Sequence, residues 1–401
     1  MSQSLALSNP QSLQPRVFRP TRALPSDAVR PTRAEVNLGH LRHNFNVVRN
    51  AVGDVPVWAV LKADGYGHGA KAVARTLERA GASGVCVALV EEGIELRQAG
   101  IEIPILVIGG HYARAFGELL EHRLTPVLHE PAQIEELASE LSYRGHGPFD
   151  VHVKVDTGMG RLGISPRELP SLVGLLERHS AVRLEGLMTH FACADSGDNE
   201  SMLEQRAQFD VATAFLGEHG FMPRVRHMSN SAAIFSGPAH HLDLVRPGIS
   251  LFGVSPSPIH QLDLLPVMRV RTEVVAMRTL EVGSSVGYGA TFTAKRQSRI
   301  ATIPMGYADG LSRALSNRGH LLIMGKRVPI VGTISMDMTT VDVTDVPGCA
   351  VGEECVVLGP QKGALGADTI TASEVADHIG TIPWEVLTSV SRRVPRFYRE
   401  P

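Results

Sequence analysis

The chain has 401 residues, with Lys+Arg 39 against Asp+Glu 41 and a formal net charge of −2. That balance excludes a strongly basic nucleic-acid binder, and 20% charged with 43% hydrophobic residues excludes a disordered chain. Aromatic residues are scarce at 5%, with 6 Tyr and 2 Trp, so the placement of each is informative.

Residues 1–33 are polar and rich in Pro and Ser, without periodicity, and predict a flexible tail. They hold no basic stretch followed by an apolar one. No run in the chain reaches the ~18 apolar residues of a membrane span. A cytoplasmic protein with no membrane partner is expected. Cys86, Cys193, Cys349 and Cys355 form no CxxC pair, so the sequence indicates neither structural zinc nor a disulfide framework.

From Val55 onward, short β-branched runs alternate with helical stretches. The strand candidates are Val55–Lys62, Gly84–Leu89, Pro104–Ile108, Thr125–Leu128, Val151–Asp156, Leu184–Thr189, Val225–Met228 and Leu242–Val245. Amphipathic segments such as Lys71–Arg79, Glu91–Gln98 and Ala132–Leu141 lie between them. This α/β pattern predicts a TIM-type (β/α)8 barrel over residues 34–266. After Pro266, strand-like pieces follow closely: Arg271–Met277, Ile300–Ile303, His320–Ile323, Val328–Ile330, Thr339–Val343 and Glu354–Leu358. Residues 267–401 therefore predict a separate, mostly β domain. Thr371-x-x-Glu374 has the spacing of a capping box.

Four constellations carry chemistry. Trp58-Ala-Val-Leu-Lys62-Ala-Asp-Gly-Tyr66-Gly-His-Gly69 places a lysine at the C-terminal end of a strand, before a glycine-rich turn. Barrel active sites form at strand C-termini. A lysine in a dry barrel mouth has a lowered pKa and can form a Schiff base, whereas at an open strand end it merely snorkels to water. Val151-His-Val-Lys-Val-Asp-Thr-Gly158-Met-Gly160-Arg161-Leu-Gly163 contains GxGxxG after a strand, but Ser165-Pro166 puts the helix start beyond the glycines, which disfavours a dinucleotide site. Lys154 and Arg161 there suit an anionic ligand, or stand as surface charges on a tight turn.

Thr189-His190-Phe191, Asn230-Ser231 and Arg246-Pro-Gly248-Ile249 end the last three strand candidates. Ser231 and Gly248 fall where barrels commonly bind phosphate, while His190 taken alone reads more readily as a hydrogen-bonded core residue. The β domain contributes Pro304-Met-Gly-Tyr307-Ala-Asp-Gly310 and Ser335-Met336-Asp337-Met338.

In this order, LKADGYGHG, KVDTGMGRLG, THFACAD, SNSA, VRPGI, VGYGATF, PMGYADG and SMDM resemble the alanine racemases, fold-type III enzymes that use pyridoxal 5′-phosphate (PLP). The resemblance runs from about Arg33 to Phe397. It implies a head-to-tail homodimer interconverting L- and D-alanine by two-base proton transfer. It also implies roles. Lys62 would hold PLP as a Schiff base. Tyr66, Ser231, Gly248 and Ile249 would cradle the phosphate, and Arg246 would face the pyridine nitrogen. Arg161 would contact the cofactor's phenolate side and the substrate carboxylate, with Lys154, carbamylated in some members, positioning it. Tyr307 would enter the partner's barrel as the second base, linked to Arg246 by His190, and Met336 would offer its N–H to the substrate carboxylate.

One departure is Trp384, where the family commonly has tyrosine near the entrance. Related broad-specificity racemases tend to carry Asn where Asp337 stands, so Asp337 favours alanine. A non-catalytic PLP carrier is a third reading, and Tyr307 speaks against it.

Overall fold

The computed structural model describes residues 29–110, 115–197 and 199–400. Most of the predicted tail, residues 1–28, lies outside the described residues. The first strand, β1 (Arg33–Asn37), leads into α1 (Leu38–Val52), capped by the Asn37 side chain, which accepts from the Gly39 and His40 N–H groups.

Seven parallel strands follow, paired in chain order: β2 (Trp58–Val60), β3 (Gly84–Val87), β4 (Ile105–Val107), β5 (Thr125–Leu128), β6 (Phe149–Lys154), β7 (Val182–Met188) and β8 (Val225–His227). Every side chain of β3 is buried, as expected for a parallel strand covered on both faces. The connecting helices are α2 (Lys62–Tyr66), α3 (Ala70–Arg79), α4 (Val90–Gln98), α5 (Phe116–Glu121), α6 (Ala132–Arg144), α7 (Leu169–Arg178), α8 (Asn199–Glu218) and α9 (Ser231–Phe235). α3 shows their logic: Val73, Ala74 and Leu77 face the strands, while Lys71 and Arg75 face water.

The eighth strand candidate, Leu242–Val245, forms no regular ladder. Leu242 has a positive φ of 52°, and Pro247 has no N–H to donate. Its remnant nevertheless closes the ring. Asp243 N–H and Arg246 N–H donate to the carbonyls of Arg226 and Ser229 (3.1 and 3.0 Å), while Val245 exchanges hydrogen bonds with Pro56 and Trp58 (3.0 and 2.9 Å).

The second domain contains β9 (Met268–Glu273), β10 (Ala276–Leu280), β11 (Ser285–Val286), β12 (Phe292–Thr293), β13 (Ser298–Ile303), β14 (His320–Ile323), β15 (Lys326–Pro329), β16 (Thr339–Asp342), β17 (Glu354–Gly363), β18 (Gly366–Ile370), α10 (Ala372–Ile379), α11 (Pro383–Ser389) and β19 (Arg396–Arg399). The single strand expected over Arg271–Met277 is two strands. Val274 N–H bonds Glu353 O and Val275 N–H bonds Thr302 O, so the chain changes sheets there. The larger sheet has the order β15-β14-β17-β9-β1-β19, which places the first strand of the chain inside this domain and beside its last. Thr371 caps α10 by accepting the Glu374 N–H at 3.0 Å, but the reciprocal half of the box is missing because the Glu374 carboxylate pairs with Arg327 instead.

Candidate functional site

Immediately after β2, four consecutive residues, Ala63, Asp64, Gly65 and Tyr66, take left-handed backbone conformations with φ between 53° and 61°. For the three non-glycine residues this costs about 1–2 kcal/mol each. The turn is pinned from several sides. Glu92 accepts the Ala63 N–H at 2.6 Å, Asp64 accepts the Ala70 N–H at 2.8 Å, and Gly65 N–H donates to Leu61 O at 2.7 Å. From the second domain, Arg396 Nε donates to Gly67 O at 3.0 Å. A Cβ on Gly67 would lie 2.5 Å from the Leu387 carbonyl, so α11 packs directly on this turn. The effect is to aim Lys62 and Tyr66 from one rigid turn.

Lys62 stands in a cluster of cations. Its pKa is lowered, first by burial and then by Arg161, with Glu92 opposing. Lys154, buried on β6, is pushed down to about 8 by burial, Arg161 and Arg246. Among the described residues its ammonium has no hydrogen-bond or ion-pair partner. The nearby carboxylates are spent on backbone: Asp156 Oδ1 accepts from the N–H groups of Gly158, Met159 and Gly160 at 2.9–3.1 Å, and Glu92 accepts from Ala63, Ala88 and Leu89. Arg161 is exposed on the turn that follows. Cationic charge is therefore in excess at the strand ends, which suits an anionic ligand.

Arg246 is buried, and desolvation lowers its pKa to about 10. It donates to the carbonyls of Thr189 and Met228 (2.9 and 3.2 Å), and its guanidinium lies 2.5 Å from His227 Nδ1 and 3.5 Å from His190 Nδ1. A guanidinium only donates, so His227 Nδ1 accepts and its proton sits on Nε2, which then donates to His152 Nδ1 at 2.8 Å. Burial and Arg246 hold both rings neutral, His152 at about 3 and His227 well below its ordinary value. His190 is kept neutral by burial and by Arg246, Lys154, Lys62 and Arg161. The sequence reading missed His152 and His227. The signal was parity: His152 and Lys154 are two apart on β6 and face the same side.

Tyr66, Ser231, Gly248 and Ile249 lie together. Ser231 Oγ accepts from Gly248 N–H at 2.8 Å, and Ser250 Oγ lies 3.1 Å away. A Cβ on Gly248 would stand 2.3 Å from Tyr66 Oη, so only glycine leaves room for that hydroxyl. Tyr66 also packs on Phe252, and Ile249 opens the buried turn Ile249–Phe252.

Tyr307 and Met336 form a second group, in the second domain. Tyr307 N–H bonds Ser335 O at 3.1 Å and Ala308 N–H bonds Met336 O at 3.0 Å. The Tyr307 ring is 43% exposed and Met336 52% exposed. The Met336 N–H meets no acceptor among the described residues. Asp337 pairs with Arg393 at 2.7 Å. Trp384 is partly buried on α11, and its indole N–H has no partner among the described residues. Tyr307 borders a cavity of about 320 Å³ lined by second-domain residues such as Met305, Leu311 and Val390.

All four cysteines are free thiols. Among the described residues, no His/Cys/Asp/Glu group could hold a metal ion, and no helix is long and apolar enough to cross a membrane.

Comparison with known proteins gives one result throughout. Residues 36–256 match the model "Alanine racemase, N-terminal domain" and residues 267–398 match "Alanine racemase, C-terminal domain". An alanine racemase of Sorangium cellulosum is 56% identical over 379 residues, covering 93% of this chain and 100% of that protein. The solved alanine racemase of Clostridium difficile 630 superposes with a TM-score of 0.86 at 35% identity, covering 93% of this chain and 97% of that one. The structure from Bartonella henselae, an alanine racemase with covalently bound pyridoxal phosphate, gives 0.83 at 30% identity, covering 92% and 99%. The chain belongs to the alanine racemase family.

Proposed function

We propose that this protein interconverts L- and D-alanine with PLP, moving a proton between Lys62 on one face of Cα and Tyr307 on the other. The observation that carries this reading is the cation-rich strand end around Lys62, joined to the Tyr66–Ser231–Gly248 cradle. The residues present fit PLP. Lys62 offers an amine whose depressed pKa favours the neutral, nucleophilic form. The Gly248 cradle, with no Cβ at its floor, takes a phosphate. Arg246 presents only N–H donors, so it would donate to a ring nitrogen placed against it and would leave that nitrogen unprotonated. When bound, PLP supplies the electron sink that acidifies the Cα hydrogen of an attached amino acid.

The chain does the rest. Racemisation needs a proton removed from one face and returned to the other, hence two bases. Lys62 Nζ, freed of part of its affinity for a proton by burial and Arg161, exchanges a proton at Cα. Tyr307 Oη serves the opposite face. Arg161 and the free Met336 N–H bind the carboxylate, and Lys154, whose low pKa leaves an amine able to take up carbon dioxide, braces Arg161 as the carbamate, an anion that a guanidinium pairs with. Tyr307 stands exposed on the second domain, so its target is the barrel of a second copy in a homodimer. Four free thiols suit a reducing cytoplasm.

The test is a D/L exchange panel with purified protein and PLP in deuterated water. Alanine should racemise with Cα deuterium incorporation in both directions. Lys62→Ala and Tyr307→Phe should each abolish interconversion. Mixing and refolding the two dead variants together should restore activity if sites are shared between subunits. Full-rate racemisation by Tyr307→Phe refutes the two-base assignment.

A further inference from the structure

Arg30 precedes β1, in the stretch whose composition predicts a tail. Its guanidinium forks onto Asp309, donating from NH1 to Oδ2 at 2.9 Å and from NH2 to Oδ1 at 2.7 Å. The same group donates to the carbonyls of Pro304 and Arg393, both at 3.3 Å. Thr32, fully buried, adds a hydrogen bond to Pro304 O at 2.9 Å and another with Thr272 Oγ1 at 2.8 Å. Pro304 and Asp309 flank Tyr307, so residues 30–32 grip both ends of the loop that carries it.

Asp309 is completely buried. Besides Arg30 it accepts the Gly306 N–H at 3.2 Å, and Arg393 Nε approaches at 3.4 Å. Arg393 also reaches Asp337 at 2.7 Å, next to Met336. The charges thus form a ladder, Arg30–Asp309–Arg393–Asp337, running under both Tyr307 and Met336. Only Arg30 makes the two-pronged contact, and without it the buried carboxylate keeps only the Gly306 N–H and the longer approach of Arg393. Tyr307 gains no anchoring from its own side chain, since its hydroxyl has no hydrogen bond among the described residues. Its aim depends on the loop beneath it. A misplacement of about 1 Å in a reacting group can cost about 10²-fold in rate.

We propose that Arg30 is a positioning residue for Tyr307, acting through Asp309, so that the chain ahead of the first strand belongs to the proton-transfer machinery. This rests on the reading of Tyr307 as a base. The holoenzyme is compared as wild type, Arg30→Ala, Arg30→Lys and Tyr307→Phe. The measurements are kcat and KM in both directions, Cα deuterium incorporation without inversion, and amide hydrogen exchange over residues 303–311.

Arg30→Ala should lower kcat by about 10- to 100-fold with KM little changed. It should keep Lys62-dependent deuterium incorporation without inversion for one enantiomer, and speed amide exchange over 303–311 while β9 and β17 stay protected. Arg30→Lys keeps charge without the fork and should recover part of kcat; it also carries the test should the alanine variant not fold. Wild-type kcat in Arg30→Ala, or loss of exchange for both enantiomers together with racemisation, overturns the proposal. A fully active Tyr307→Phe instead overturns the underlying assignment of Tyr307.

Discussion

His227 Nδ1 lies 2.5 Å from the guanidinium of Arg246, so a buried cation in the barrel is held by a neutral ring and carbonyls, with no carboxylate partner among the described residues. Truncating the ring removes an acceptor from a fully desolvated donor. His227→Ala should weaken PLP binding by about tenfold, or about 1.4 kcal/mol. Equilibrium titration of apoenzyme by absorbance checks this, and an unchanged affinity separates His227 from cofactor binding.

Gly248 and Tyr66 make a sharper pair. A methyl at position 248 would meet Tyr66 Oη at 2.3 Å and its ring carbon Cζ at 3.0 Å. Gly248→Ala should weaken PLP retention by about 10- to 100-fold, the range of about 1–3 kcal/mol typical of overpacking. Adding Tyr66→Phe removes the closest clashing atom and should recover part of that loss. Double-mutant coupling of opposite sign to simple additivity is the expected reading.

Lys154 links the site to stability. Its pKa falls from 10.5 to about 8 on folding, so between those values the unfolded chain binds more protons than the folded one. Stability contributed at this position therefore rises with pH across that window and is lowest below it, where the folded state carries a buried charge. Lys154→Met should stabilise the apoprotein at pH 7 relative to wild type, by about 1–3 kcal/mol. The gap should close as pH approaches 10.5. Denaturant titrations at several pH values measure both; a gap independent of pH excludes this cause.

Trp384 offers an N–H where a tyrosine would offer a hydroxyl that both donates and accepts. Trp384→Tyr should leave kcat near wild type while shifting KM or PLP retention. Identical values for both quantities take Trp384 out of the site.

The placement of Lys62, Ser231 and Arg246 at strand ends was legible because each stands near a glycine, proline or asparagine that marks the turn. The same local signals failed where partners are remote. Glu92 shapes the Lys62 turn through the Ala63 N–H, a contact 29 residues away in sequence, and nothing in its own surroundings marks it. His152 and His227 looked like strand filler, and only inward parity distinguishes them. Leu242–Val245 has a strand's composition, yet one positive φ and one proline reduce it to the hydrogen bonds that close the ring. Arg30 sits in a polar stretch with no periodicity, and its meaning comes only from an aspartate 279 positions later.

β1 lies between β9 and β19, parallel to β19, with Ala34 opposite Arg396 and Asn37 opposite Arg399. A strand that precedes the barrel is thus joined by one that follows nearly all of the second domain. The larger sheet of the domain bearing Tyr307 keeps an open edge at β1 until Arg396–Arg399 is available, and β2–β8 of the barrel all lie between the two in sequence. At a synthesis rate of about 5–20 residues per second, that exposes a naked strand edge for tens of seconds. The larger sheet of the tyrosine domain is therefore completed only after all the barrel strands have been made.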